Sequence, residues 1–114
     1  MADCASPRQE LEAATRAARV AAARAVQQDR FRDRPTMRLN ADAEGEALAD
    51  IATPDAEGRA LLARVAERFG LSARGYHRVL RVARTIADLD GSDAVRRVHV
   101  AEAVSYRLGA AKGL

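Results

Sequence analysis

Three arginines at helical spacing are the residues of this 114-residue sequence best suited to chemistry. Arg74, Arg78 and Arg81 lie in the segment 73–90, and on a helix they fall within about 60° of one another. A guanidinium group stays charged and makes bidentate hydrogen bonds to phosphate oxygens. This spacing is compatible with a phosphate-binding face. The alternative, a solvated face whose arginine stems cover apolar surface, stays open from periodicity alone.

Arg74 stands apart from the other two because it follows a helix-capping residue. Ser72 is suited to the N-cap position, so Arg74 is expected in the first turn of the helix. The free N–H groups and the dipole at a helix start already favour an anion. We therefore predict that Arg74 is the arginine placed best to meet a phosphate group.

Other catalytic signatures are absent from the sequence. It contains no GxxxxGK[ST] phosphate loop, no GxGxxG, no HExxH, no GxSxG and no Cys/His cluster for zinc. The two histidines, His77 and His99, have no clear partners, and His99 is expected to pack or cap at the start of the last helix. The sequence thus predicts no complete catalytic site, no metal site and no enzyme activity for this chain alone.

The composition indicates a small helical protein. Hydrophobic residues make up 48% of the chain, but there is no Trp and only two Phe and two Tyr. An apolar content of mostly Ala, Leu and Val favours close-packed helices over sheets, and the length suits one domain. The net charge is +3, and acidic residues are mixed among the arginines, so no polybasic tail is indicated.

The termini and the cysteine usage bear on the compartment. No apolar run approaches the ~20 residues of a membrane span, and the first ten residues lack the pattern of a signal peptide. The single cysteine, Cys4, leaves no internal disulfide. We expect a cytoplasmic protein with no membrane partner.

The segments that must position these arginines read as an all-α bundle of about four to five helices. Hydrophobic spacing, caps and breakers predict where the helices lie. The first covers about 9–32, and a short one runs from a cap at Asn40 or Asp42 to about 51. The next starts after Asp55 and ends at about 69, and the last two cover 73–90 and about 98–108. Residues 1–8 and 109–114 are predicted to be disordered, and 9–108 to form one helical domain. The apolar stripe of the first helix is thin, so this helix should need a partner.

The segment 70–107 resembles a known family signature. It reads GLSARGYHRVLRVARTIADLDGSDAVRRVHVAEAVSYR, starting at Gly70, and resembles the C-terminal region of magnesium-chelatase-like AAA+ proteins of the competence protein ComM/YifB type. VAAARAVQQDRF and RLNADA extend the likeness over roughly 10–107. Position 96 holds Arg where that family usually offers a capping Thr or Ser.

The resemblance implies a role beyond what the residues show by themselves. It implies a helical, AAA+ lid-like domain that follows a nucleotide-binding core in a ring-forming ATPase. Ser72 and Arg74 resemble the sensor-2 motif, which places Arg74 at the γ-phosphate, with Arg78 and Arg81 as further phosphate or subunit contacts. Arg84 is expected to be structural. ATP and Mg²⁺ would be bound mainly by the core, which this sequence lacks, and the fragment alone would hold neither.

Three readings of function follow. The first is a lid and sensor domain cut from a longer ATPase, whose partners are its own core, neighbouring ring subunits and, as a candidate, DNA processed in competence or branch migration. The second is a stand-alone helical module that binds DNA through Arg74, Arg78 and Arg81. The third is an oligomerisation module that uses the helix over 9–32.

Overall fold

The computed structural model describes residues 6–111, and the side chains of residues 6–107. Within that range it contains five α-helices and no β-strand. The helices are α1 (Pro7–Arg30), α2 (Gly45–Ala52), α3 (Ala56–Phe69), α4 (Ala73–Leu89) and α5 (Arg97–Ala111). The predicted all-α bundle is confirmed.

Helix α4 is the centre of the bundle. It packs against α5, α1, α2 and a short 3-10 turn, Asn40–Asp42, while α3 packs against α5. The apolar stripe of α4 is buried: Val79, Leu80, Ala83 and Ala87. It meets a core drawn from the other elements: Phe31, Leu48, Leu62, Val95, Val100, Ala103 and Val104. Because α4 is held on several sides, its backbone is fixed relative to the rest of the bundle.

Helix α1 is only partly attached to this core. Ser6 caps it in a capping box with Gln9, but residues 7–22 are all exposed. The C-terminal turns bury Ala23, Gln27 and Phe31 against the bundle, and nearer the middle of α1 the Nε–H of Arg19 donates to the Leu89 carbonyl at 3.2 Å. The prediction that α1 has a thin apolar stripe agrees with this arrangement.

The helix over Gly45–Ala52 does not start as the sequence predicted. We expected Asn40 or Asp42 to cap it, but it begins at Gly45 after Glu44, which makes no side-chain cap. Asp42 instead accepts the backbone N–H groups of Arg38 and Leu39, each at 3.0 Å. These bonds hold the pKa of Asp42 below its usual value. Asn40 is buried for a different reason, given below.

The predicted disordered ends lie partly outside the described residues, which exclude 1–5 (with Cys4) and 112–114. Where the two overlap, Pro7 and Arg8 belong to α1, and residues 109–111 belong to α5. The helical domain is therefore slightly longer at both ends than predicted. None of the helices in the described range is both long and apolar enough to cross a membrane.

Candidate functional site at the start of helix α4

The start of α4 is built by a tight turn and a serine cap. Gly70 ends α3 in the left-handed conformation, with φ 63° and ψ 44°, which a glycine adopts without strain. Two residues later, the Ser72 hydroxyl accepts the N–H of Gly75 at 3.1 Å. The N–H groups of the first two residues of α4 have no partner within the helix and remain donors for an external group.

The three predicted arginines are placed differently along α4. Arg74 and Arg78 are exposed, whereas Arg81 is half-buried. The Nε–H of Arg81 donates to the carbonyl of Ala43 at 2.8 Å, which ties α4 to the loop before α2. Arg81 therefore has a structural contact, and it also lines a shallow cleft together with Arg78.

A fourth arginine, Arg107, joins this end of α4 and was not among the predicted site residues. It lies on α5, and its Nη2 is 3.3 Å from the position that a Cβ on Gly75 would occupy. Gly75 is buried, so its missing side chain leaves the space that the guanidinium fills. No helical period links Arg107 to Arg74, because they lie 33 positions apart on two different helices. The sequence does show a glycine in the first turn of this helix, but it does not show which side chain packs against that glycine.

A cleft of about 240 Å³ opens between α4 and α5 beside this point. Arg78 and Arg107 line it, and Val79, Val82 and Ala103 supply its apolar wall. The ring of Tyr106, which is 61% exposed, completes the lining. The cleft thus combines two guanidinium groups with an apolar surface.

Within residues 6–107, the arginines of this cleft have no carboxylate partner. The ion pairs of the described side chains join other groups, and none includes Arg74, Arg78 or Arg107: Arg8–Glu12, Arg30–Asp88, Arg32–Asp29, Arg34–Asp50, Arg84–Asp88 and His99–Asp90. The start of α4 is therefore a positive surface with its hydrogen-bond donors free.

The other end of α4 also gathers arginines, but around a buried carboxylate. Asp88 receives both Nη groups of Arg30 at 2.8 and 2.7 Å, and Arg84 at 2.9 Å. The side-chain NH₂ of Asn40 donates to the same carboxylate at 2.8 Å, which explains why Asn40 is buried. The Asp88 side chain is fully buried.

The charges of this network determine its titration. Burial raises the pKa of Asp88, but hydrogen bonds from Arg30 and Asn40 and the nearby positive charges outweigh it and hold that pKa below the usual value. Burial lowers the pKa of Arg84. The Arg84 guanidinium also donates to the carbonyls of Ile51, Ser92 and Asp93, so its Nη groups are satisfied while its Nε has no partner. A structural role for Arg84 fits these contacts.

Neither histidine lines the cleft between α4 and α5. His99 is buried, its Nδ1 accepts the N–H of Arg96 at 2.9 Å, and its Nε2 contacts Asp90 at 2.9 Å. His99 thus caps the start of α5, where the sequence offers Arg96 in place of a capping hydroxyl. The His99 hydrogen bond lowers the pKa of Asp90. His77 is exposed and its ring meets that of Tyr76 edge-on.

The arrangement favours anion binding over bond-breaking chemistry. In the described part of the chain, no three His, Cys, Asp or Glu side chains are grouped as a metal site. The exposed guanidinium groups and the first-turn N–H donors fit phosphate oxygens. What this end of α4 can do is hold or sense a phosphate group supplied by another part of a protein or by a ligand.

Comparisons with known proteins place these residues in a family context. The family model described as magnesium chelatase, subunit ChlI C-terminal, matches residues 10–107. Competence protein ComM of Haemophilus influenzae is 50% identical over 46 residues, 40% of this chain and 9% of that protein. The YifB proteins of Escherichia coli and Salmonella typhimurium are 41% and 40% identical over 70 residues, 61% of this chain and 14% of theirs. The chain thus spans a small part of the length of these relatives.

Proposed function

This chain belongs to the magnesium chelatase ChlI C-terminal family, as its resemblance suggested, and we propose that it is the lid of an AAA+ ATPase, with Arg74 as its nucleotide sensor. The observation that carries the proposal is the position of Arg74. It is exposed in the first turn of a serine-capped helix and has no carboxylate partner within residues 6–107.

The proposed role of Arg74 follows from its charge and its support. A guanidinium stabilises negative charge that develops on a phosphoryl group during transfer, and it acts best when its position is preorganised. Because α4 is packed against three other helices, Arg74 moves with the whole lid. A lid that closes over the core would bring the guanidinium to the phosphate and would couple hydrolysis to domain motion.

The nucleotide itself would be held mainly by the core. The described arginines fit phosphate oxygens, whereas the chain has no phosphate loop and, within the described residues, no metal-ligand group. ATP would supply the reactive phosphoryl group, with Mg²⁺ bound on the core side. This chain would contribute recognition of the terminal phosphate and contacts within a ring.

The test uses the ATPase formed when this chain is joined to its nucleotide-binding core. We expect Arg74→Ala to lower ATP turnover about 100-fold, on the scale of losing one preorganised charge-stabilising donor. Arg74→Lys should recover only part of the loss, because an ammonium lacks the planar fork. Arg97→Ala, an exposed arginine on α5, is the matched control. Unchanged turnover in a folded Arg74→Ala protein would exclude the sensor role.

We further propose that the parent ATPase acts on DNA. The support is the name of one relative, a competence protein, together with exposed arginines on α4. Binding of this chain to DNA should then weaken linearly on a log–log plot as salt rises, with a slope set by the number of phosphates contacted. Flat salt dependence, or equal binding by a variant with Arg74, Arg78 and Arg81 changed to Gln, would contradict a DNA-binding role for this chain.

The exposed part of α1 is the surface we propose for ring assembly or for contact with the core. Leu11, Val20 and Val26 are 69%, 44% and 46% exposed on a helix whose buried residues all lie in its C-terminal turns. Sedimentation over a range of concentrations tests whether this chain associates with itself. A monomer at every concentration would leave the core as the partner of α1.

A further inference from the structure

The cleft between α4 and α5 brings together two arginines that are distant in sequence. Arg78 comes from the second turn of α4, and Arg107 from the C-terminal half of α5. Both line the same space, and neither has a carboxylate partner within residues 6–107. Like charges at close range repel each other, and the repulsion is strongest where water is partly excluded.

A side chain at position 75 would crowd the Arg107 guanidinium. A Cβ at Gly75 would lie 3.3 Å from the Arg107 Nη2 and 3.4 Å from the Ser72 hydroxyl. Gly75 lies in the first turn of α4, where glycine costs at most the about 1 kcal/mol relative to alanine that it costs in a helix interior. The helix accepts this cost at the one place where a guanidinium from another helix rests against its first turn.

The opposite end of α4 shows how the same chain resolves a convergence of arginines. There Arg30 and Arg84 meet across Asp88, which neutralises part of their charge. At the start of α4 the corresponding anion is not supplied by the described residues. An anion from outside the described residues could balance the charges of Arg78 and Arg107 as Asp88 balances those of Arg30 and Arg84.

We propose that Arg78 and Arg107 bind a phosphate group in the cleft between α4 and α5, and that Gly75 lets the Arg107 guanidinium lie close against the first turn of α4. This inference rests on the proposed nucleotide-facing role of the start of α4 and adds Arg107 to it as a phosphate-binding residue. Two forked guanidinium groups can donate to several oxygens at once, which a polyphosphate offers and a single carboxylate does not.

The direct test is a titration of the whole 114-residue chain with tripolyphosphate. Calorimetry and the amide NMR signals of the first turn of α4 monitor the binding. We expect saturable binding that Arg107→Gln and Arg78→Gln each weaken about tenfold, the scale of losing a charge-assisted hydrogen bond. Arg97→Gln, which removes the same charge from an exposed position of α5, is the matched control. Absence of saturable binding, or equal weakening by the control, overturns the proposal.

Gly75→Ala separates the site from the fold. The added methyl group favours the helix, and the group it displaces is the flexible end of Arg107. We expect the thermal midpoint to be kept or raised while tripolyphosphate affinity falls by less than in Arg107→Gln, because the guanidinium is displaced but not removed. Unchanged affinity in this variant would remove Gly75 from the proposal. Arg107→Lys should restore part of the affinity lost in Arg107→Gln.

Parallel titrations with inorganic phosphate and with ATP identify the source of the phosphate. Tighter binding of ATP than of tripolyphosphate assigns the cleft to a nucleotide, and equal binding assigns it to the phosphate chain alone. The result is independent of the test of Arg74 in the complete ATPase. If Arg74→Ala abolishes turnover but tripolyphosphate does not bind, only the role of Arg107 fails. If tripolyphosphate binds but turnover is unchanged, only the sensor role fails.

Discussion

The two ends of α4 both gather arginines, but only one end contains the acid that balances them. At the C-terminal end, Arg30 and Arg84 converge on Asp88, whose side chain is fully buried. At the N-terminal end, Arg78 and Arg107 face an open cleft without a carboxylate among residues 6–107. The same residue type is thus used in two environments on one helix.

The difference shows that charge balance separates structural arginines from binding arginines in this domain. A buried guanidinium must be paired, since an unpaired buried charge costs several kcal/mol. Arg30, from α1, and Asn40, from the 3-10 turn, meet this need and in doing so fasten both elements to α4. An exposed guanidinium has no such requirement and remains available to a ligand.

The C-terminal end of α4, where Asp88 pairs with Arg30 and Arg84, is called the closed end, and the N-terminal end with Arg78 and Arg107 the open end. The largest expected effect on stability comes from removing the acid of the closed end. Asp88→Ala leaves Arg30 and Arg84 together without their shared acid, so we expect the free energy of unfolding to fall by about 3–5 kcal/mol. That is a large part of the ~5–15 kcal/mol available to a small domain. Urea unfolding followed by circular dichroism measures the change.

The matched variant at the open end is Arg107→Gln. It removes one of two arginines that have no acid between them, so its effect on the free energy of unfolding should stay within about 0.5 kcal/mol. Comparable losses in Asp88→Ala and Arg107→Gln would mean that the two ends do not differ in the way proposed.

The sequence predicted one end of α4 much better than the other. Ser72, Gly70 and the apolar spacing define where α4 starts and which face is buried, because caps and periodicity are local signals. The burial of Asp88 was not predicted, since helical periodicity places it beside Arg84 but does not show that Arg30, 58 residues away, covers it.

Arg107 escaped prediction for the same reason. Its partner in space, Gly75, is on another helix, and only the packing of α4 against α5 brings them together. Asn40 was read as a helix cap, the commonest role of a short polar residue beside a helix. Its side chain instead completes the hydrogen bonds of Asp88. Long-range pairing, and not local propensity, decides all three cases.

The closed end should also make stability depend on pH. Because the pKa of Asp88 is lower in the folded chain than its unfolded value of about 3.9, its contribution is present above that pH and is lost as the pH falls further. Asp88→Asn removes this titration. We therefore expect the difference in unfolding free energy between the wild type and Asp88→Asn to shrink as the pH falls below about 4.

Comparison with Asp88→Asn is needed because other carboxyl groups contribute to acid unfolding. Hydrogen bonds also lower the pKa values of Asp42 and Asp90, and both groups are present in the two proteins. Their effects therefore cancel in the difference. Parallel stability curves from pH 6 to pH 2.5 would show that Asp88 is not the group responsible.

The smallest effect on stability, and the sharpest test of the comparison, comes from adding an acid to the open end of α4. Tyr106→Glu places a carboxylate in the lining of the cleft beside Arg78 and Arg107. Because position 106 is exposed, the new ion pair should change the free energy of unfolding by only about 0.5 kcal/mol. It should nevertheless abolish tripolyphosphate binding, since the glutamate would act as Asp88 does at the other end. Tyr106→Gln, which has nearly the same shape as Glu and no charge, should bind tripolyphosphate more tightly than Tyr106→Glu. If the two variants bind equally, the missing internal acid is not what makes this end of α4 a phosphate site.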